Sequence, residues 1–373
     1  MIKAYIELTK DIVVFAFFVL ASSAAAPARC EQLQWIGVGE DKQSFAFEKS
    51  GERFVPWGFN YDHDEDGRLL EDYWQSKWDT IEQDFREMKQ LGANVVRIHL
   101  QVGKFMKGPN EPNQASLDRL VQLVRLAERL ELYLDVTGLG CYHKKDVPPW
   151  YDELPEQQRW DVQARFWEVI AQRCASSPAI LCYDLMNEPV VGGRGKRTDW
   201  LGPAFAGKHF VQFIALQQGS RARSAIAVQW IIKLSAAIRK HDRRHLITVG
   251  LVPWSLERKG LTSGFVPEKI VGKLDFISVH IYPERDKLAE MMETLAGFAV
   301  GKPLVIEETF PLKCSMAELE QFIEDSRKYA CGWIGFYWGK TPEEYKQSSQ
   351  IRDAMILGWL EFFQEKAKTA NEF

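Results

Sequence analysis

Ile180-Leu181-Cys182-Tyr183-Asp184-Leu185-Met186-Asn187-Glu188-Pro189 is the stretch on which the fold turns. An apolar run rich in strand-forming residues that breaks at Asn187-Glu188-Pro189 predicts a buried strand whose end delivers an amide and a carboxylate into a pocket. Pro189 ends the strand, having no N–H to give to a ladder. In a barrel of parallel strands the C-terminal ends carry the active groups, because the βα loops meet there, so Glu188 is placed for chemistry. A strand followed by an ordinary polar turn would give the same local pattern.

A second stretch, Lys302-Pro303-Leu304-Val305-Ile306-Glu307-Glu308-Thr309-Phe310, separates the two readings. It is again a short apolar strand that ends in carboxylate. Two acids at the ends of separate barrel strands can face each other across one pocket, which is the arrangement glycoside hydrolysis requires. Together the two runs resemble the acid/base and nucleophile strands of the family 5 retaining glycosidases, which include cellulases and mannanases. The resemblance implies a (β/α)8 TIM barrel that cleaves O-glycosidic bonds inside a β-linked glucan or mannan. Glu188 would be the acid/base and Glu308 the nucleophile. Adjacent strand residues face opposite ways, so only one of Glu307 and Glu308 is expected in the pocket. The family places its nucleophile second in such a pair, which leaves Glu307 facing the helices or bonded to backbone near the strand end.

The same comparison assigns further residues. Asn187 takes the place of the amide that holds the sugar's 2-hydroxyl. Arg97, in Asn94-Val95-Val96-Arg97-Ile98-His99-Leu100, matches an arginine beside the nucleophile, where a cation would keep Glu308 ionised. His280 and Tyr282 match a His-x-Tyr on strand six that lines the reaction subsite. Trp338, in Gly335-Phe336-Tyr337-Trp338-Gly339, resembles the stacking platform below the sugar being cleaved. Asn60 and His99, which end strands one and two, are further candidates for substrate contact. Relatives often end strand three in a histidine, whereas this chain reads Leu134-Asp135-Val136-Thr137-Gly138-Leu139. His143, just beyond, is expected to reach the site from the loop instead.

The 373 residues accommodate a single barrel of about 250 residues with insertions, and residues 35–373 are expected to form one catalytic domain. A net charge of −4, with lysines and arginines scattered along the chain, argues against a nucleic-acid partner. Among the 13 Trp and 11 Tyr most belong to the core, but flat amphipathic rings also suit stacking on sugars. The expected partner is an oligo- or polysaccharide and the expected state a monomer. Residues 1–28 read as a signal peptide, with Lys3 and Lys10 ahead of an apolar run at 12–20 and small residues after it, although Glu7 and Asp11 are unusual there. The run is too short to span a bilayer, so a secreted or periplasmic protein without membrane insertion is expected. The cysteines form no disulfide framework: a predicted helix between Cys314 and Cys331 would hold them some 20 Å apart. No Cys/His cluster has zinc spacing and no glycine-rich loop follows a strand, so neither metal nor cofactor is expected.

Strands and helices alternate along the chain. Segments 43–48 and 53–57 flank a turn and predict a hairpin ahead of the barrel. Strands are expected at 58–61, 94–100, 132–137, 180–187, 245–250, 274–281, 304–308 and 333–338. Helices are expected near 78–88, 116–130, 157–176, 222–241 and 287–298, after the capping box Ser315/Glu318, and at 348–365. Residues 190–220, rich in Gly, Arg and Lys, break the rhythm as a long loop on the strand-end face, where Arg194, Lys196 and Arg197 either meet acidic sugars or are simply solvated. Doubly wound folding is the structural rival, and it lacks its glycine fingerprint here. The functional rivals are a barrel that binds carbohydrate without cutting it and an exo-acting β-mannosidase or β-glucosidase.

Overall fold

The computed structural model describes residues 33–370 except 62, 63, 65, 259, 260 and 338. The expected signal peptide and Trp338 lie outside the described residues. Eight parallel strands close into a barrel: β1 (Trp57–Tyr61), β2 (Val95–Gln101), β3 (Tyr133–Gly140), β4 (Ile180–Asn187), β5 (Leu246–Leu251), β6 (Ile277–His280), β7 (Leu304–Glu308) and β8 (Gly332–Phe336). They lie in chain order around the ring. Closure comes where β8 sets Trp333 beside Trp57 of β1. Helices cover the outer faces and side chains fill the inside, so these strands are buried, save half-buried Phe336 at the end of β8, and read as near-continuous apolar runs.

The outer ring is α1 (Trp78–Gln90), α2 (Gln114–Arg129), α3 (Glu156–Cys174), α4 (Arg223–Arg239), α5 (Pro267–Ile270), α6 (Leu288–Ala296), α7 (Met316–Ser326) and α8 (Ile351–Ala367). Each full helix buries the stripe its spacing announces; on α4 that stripe is Trp230, Ile231, Leu234 and Ile238. At α7 the side chain of Ser315 accepts from the Glu318 N–H at 3.2 Å and Glu318 accepts from the Ser315 N–H at 2.7 Å, completing the expected box. Between β5 and β6, where no apolar stripe can be read, α5 is a single turn.

The N-terminal hairpin gains a strand. Ile36–Val38, Phe45–Phe47 and Arg53–Phe54 form an antiparallel sheet that closes the N-terminal mouth of the barrel. Phe45 meets Phe276 edge-on, ring centres 5.2 Å apart, and Phe54 meets Tyr133 at 5.1 Å, so a separate apolar cluster plugs that end. The opposite mouth, formed by the strand C-termini, is left for polar groups.

The strand-end loop after β4 carries structure of its own. Pro189–Val191 pairs in parallel with Gln212–Ala215, and the residues between them run outward, with Phe205 left 69% exposed at a turn. Arg194 and Lys196 are exposed, and the Arg197 guanidinium lies 3.8 Å from the Phe213 ring centre. Arg197 is exposed as well, so its guanidinium lies on the ring with its outer face in solvent.

Candidate active site

Arg97 stands at the centre of the C-terminal mouth and is wholly buried. Its Nη1 donates to Glu308 Oε1 at 2.6 Å and to Asn60 Oδ1 at 2.9 Å. Its Nη2 donates to Asp184 Oδ2 at 2.8 Å and to Asn187 Oδ1 at 3.0 Å. Five donors in a rigid plane let one guanidinium tie the ends of β1, β4 and β7 together. Burial alone would lower its proton affinity, but Glu307, Asp184 and Glu308 around it raise it well above the ordinary arginine value.

His280, at the end of β6, faces carboxylates on both sides. Nδ1 lies 3.0 Å from Glu188 Oε1 and Nε2 lies 3.2 Å from Glu307 Oε2. Only the doubly protonated ring can donate to both. Burial pulls its proton affinity down, yet the charge of Glu308 and the bonds to Glu188 and Glu307 prevail and raise it to about 10. Tyr282 donates to Glu308 Oε2 at 2.6 Å, and Phe336 at the end of β8 stacks on its ring at 6.3 Å. Glu308 is thus held at both oxygens. Burial raises its proton affinity, His280 and Arg97 draw it back, and Glu188 pushes it up again; the net direction is upward.

Glu188 sits just past β4 with φ of 46°, a left-handed conformation that side chains other than glycine seldom adopt. Its N–H donates to the carbonyl of Gly250 at 3.0 Å, which fixes the turn. The strained backbone aims the carboxyl across the mouth instead of along the strand. Ligating atoms of Glu188, His280 and Glu308 all lie within 4.8 Å of one another. Such a trio could converge on a cation, but Arg97 and His280 already bring positive charge to the same carboxylates.

Glu307 departs from expectation. It is wholly buried, yet its side chain points into the barrel, bonded to His280 and 3.6 Å from Arg97 Nη2. The reason is a register shift: Ile306 lies opposite Val279, but the next partner of His280 is Glu308. One extra residue in a strand breaks strict alternation, so both glutamates turn inward, Glu307 beneath and Glu308 at the rim.

Other expected residues are placed more quietly. The Asn60 amide donates to the carbonyls of Glu307 and Gly335, each at 2.9 Å, so its polar atoms hold Arg97 and the strand ends and are not turned to the cleft. His99 is buried, with Nδ1 2.5 Å from the Tyr142 hydroxyl. Asn187 adds a bond from Nδ2 to the Phe210 carbonyl of the long loop at 3.1 Å. His143 does not join this network. It lines a recess of about 190 Å³ with Gln101, Lys104 and Asp146, and its neighbour Tyr142 is the residue of that loop that reaches inward.

Sequence reasoning passed over Asp184, Asp135, Thr137 and Gly250. Asp184 accepts from Arg97, from Thr137 Oγ1 at 2.8 Å and from the Gly250 N–H at 2.8 Å. A Cβ on Gly250 would stand 2.9 Å from His280 Nε2 and 3.0 Å from Glu307 Oε2, so only glycine leaves room for the network. The available signal was charge in the middle of an apolar strand, at Asp135 and Asp184, since such residues are seldom buried without partners.

The sequence model of the family described as Cellulase (glycosyl hydrolase family 5) matches residues 49–341. Mannan endo-1,4-beta-mannosidase A of Podospora anserina is 25% identical over 227 residues, which span 54% of this chain and 51% of that protein. The protein of the same name from Emericella nidulans is 20% identical over 305 residues, 73% of this chain and 71% of its own. Among solved structures, an exo-beta-1,4-mannosidase from Opitutaceae bacterium strain TAV5 superposes with a TM-score of 0.67 at 18% identity, covering 90% of this chain and 62% of that one. An endo-1,4-beta-mannanase from Rhizomucor miehei gives 0.57 at 18% identity, covering 89% and 99%. The chain therefore spans about half of the first relative and under two thirds of the first structure. At these identities the solved structures speak for the fold.

Proposed function

The chain belongs to glycosyl hydrolase family 5, and we propose that within it this enzyme cuts β-1,4-mannan internally, with retention, using Glu308 as nucleophile and Glu188 as acid/base. The observation that carries the proposal is the convergence of Glu188 and Glu308, whose oxygens lie within 4.8 Å of each other and of His280. Retaining enzymes hold their carboxyls about 5–5.5 Å apart, whereas inverting ones leave about 6.5–9.5 Å for a water. The short separation supports direct attack by Glu308. Mannan is favoured over glucan because both curated relatives carry the name mannan endo-1,4-beta-mannosidase.

In this reading Arg97 and Tyr282 aim the Glu308 carboxylate at the anomeric carbon, and Glu188 gives its proton to the departing oxygen. A glycosyl ester forms on Glu308. Glu188, now ionised, takes a proton from the water that hydrolyses the ester. Imidazolium at His280 touches both acids and steadies whichever one carries charge. Export by the segment at 1–28 completes the proposal, placing the enzyme where polymers are met.

Azide separates the two roles. Glu308→Ala opens the face opposite the leaving group, so an activated β-mannoside with azide should give the α-azide. Glu188→Ala should still form the ester from a leaving group that needs no proton, and azide should then give the β-azide. The same stereochemistry from both variants would sink the assignment. Release of new reducing ends from mannan, but not from glucan or xylan, tests the substrate; a rapid fall in viscosity before mannose appears tests internal cutting.

A further inference from the structure

Beneath the catalytic pair lie carboxyls that the mechanism above does not use. Asp135 and Arg97 are direct neighbours across β3 and β2, and Asp135, Asp184 and Glu307 each bring an oxygen within 4.8 Å of the others. Asp135 is 1% exposed and the other two are fully enclosed. Facing this floor are the cations Arg97 and His280, the carboxyl of Glu308 above, and the Cys182 thiol beside Asp135 on β4. Were all four buried carboxyls ionised, two cations would face four anions in a medium that solvates charge poorly.

The hydrogen bonds show where a proton is missing. Asp184 accepts from three donors, Arg97, Thr137 and Gly250, which the ionised form suits. Asp135 Oδ1 and Glu307 Oε1, by contrast, are buried acceptors with no donor among the described residues. A single proton held between them would satisfy both, as in carboxyl pairs that share one proton because both members cannot be ionised together.

We propose that Asp135 is a positioning residue, a neutral carboxylic acid that donates its proton to Glu307 and thereby keeps Arg97 and His280 aligned on Glu308 and Glu188. Without that donor Glu307 would draw harder on His280 and Arg97, pulling them down from the catalytic carboxyls. The electrostatics single out Asp135: burial and then the charge of Glu307 push its carboxyl well above the ordinary range. The same two causes raise Asp184, but Arg97 and Thr137 draw it back, and at Glu307 Arg97 and His280 overcome burial and hold it at about 2.

The positioning role rests on the reading of Glu188 and Glu308 as the catalytic pair, but the protonation state has a readout of its own. Infrared spectra of the full-length protein at neutral pH should show the carbonyl stretch of a protonated carboxylic acid, and part of that band should vanish in Asp135→Asn. Kinetics supply the second arm. Asp135→Asn still offers an N–H to Glu307 and should leave the acidic limb of kcat/KM, measured on an aryl β-mannoside, where the wild type has it. Asp135→Leu offers none; its acidic limb should move to higher pH and kcat/KM should fall about 100-fold, the scale of a small misplacement at a reacting centre. An infrared band unchanged in Asp135→Asn overturns the neutral acid. So does an acidic limb that moves to lower pH in Asp135→Asn, the signature of deleting a negative charge. Equal kinetics in the Leu and Asn variants, with the band assigned, overturns the positioning role alone. Failure of the azide experiment leaves the infrared result standing.

Discussion

At Glu188 the backbone itself has been bent to the task. Its φ of 46° costs a side-chain-bearing residue about 1 kcal/mol relative to glycine, so Glu188→Gly should exceed Glu188→Ala in unfolding free energy by about that amount while both lose the proton donor of the proposed mechanism. Urea unfolding of the two variants measures the difference. Gly250 is the converse case. Gly250→Ala places a methyl against His280 and Glu307, and kcat/KM should fall about 100-fold through displacement of the network, read with an activated mannoside. His280 links the network to pH. Its ordinary value of 6.5 is raised to about 10 in the fold, so its contribution to stability is fully present below pH 6.5 and is lost as pH rises through about 10. The gap in unfolding free energy between wild type and His280→Asn should be constant in mildly acidic solution and shrink toward pH 10; a gap that widens with alkalinity would contradict the imidazolium. On the acid side, the raised affinity of Glu308 for its proton should place the acidic limb of kcat/KM above the range of a free glutamate.

The loop after β4 has a hydrogen-bonded root and an exposed tip. Pro189–Val191 and Gln212–Ala215 form the root, and the Phe210 carbonyl holds Asn187, so cutting the whole loop would disturb the site. Replacing residues 203–207 with two glycines removes the exposed Phe205 and leaves the root alone. Activity on mannan should then fall several-fold while hydrolysis of a small aryl mannoside stays within about twofold, because only a polymer reaches that far. Equal loss on both substrates would make the tip a structural element. The register shift between β6 and β7 acts at this scale too: one extra residue turns two adjacent glutamates to the same side and gives the site its floor.

Across the whole molecule the two mouths of the barrel have opposite jobs. The N-terminal mouth is closed by an apolar plug around Phe45, which is fully buried, whereas the C-terminal mouth collects the charge. Phe45→Ala should lose about 3–5 kcal/mol of stability through the cavity it leaves, seen as a lower melting temperature. Turnover of the activated mannoside, measured well below that temperature, should be unchanged because the plug includes neither glutamate of the pair nor any side chain bonded to them, and meets the site floor only at Cys182. A large fall in kcat would mean that the two ends are coupled.

Much of this was open to the sequence because it is local. Apolar spacing fixes helices and strands, Ser315 and Glu318 cap a helix by themselves, and the motifs ending at Glu188 and Glu308 mark two strand ends that bring carboxyls to one mouth. The site floor was not local. Asp135 and Asp184 are visible as charges in apolar strands, but that Arg97 answers Asp184, or that Asp135 meets Glu307, follows only once the ring closes and sets β2, β3, β4 and β7 around one axis. The orientation of Glu307 needed a register shift that strand alternation cannot foresee, and Tyr142 displaced His143 because the loop's path, fixed in part by the His209 N–H on the Tyr142 carbonyl, turns one ring inward and the other out. Local pattern decided the elements and the two acids; closure of the barrel decided what each acid faces, since hydrogen bonds and charges depend on distances between strands that are far apart along the chain.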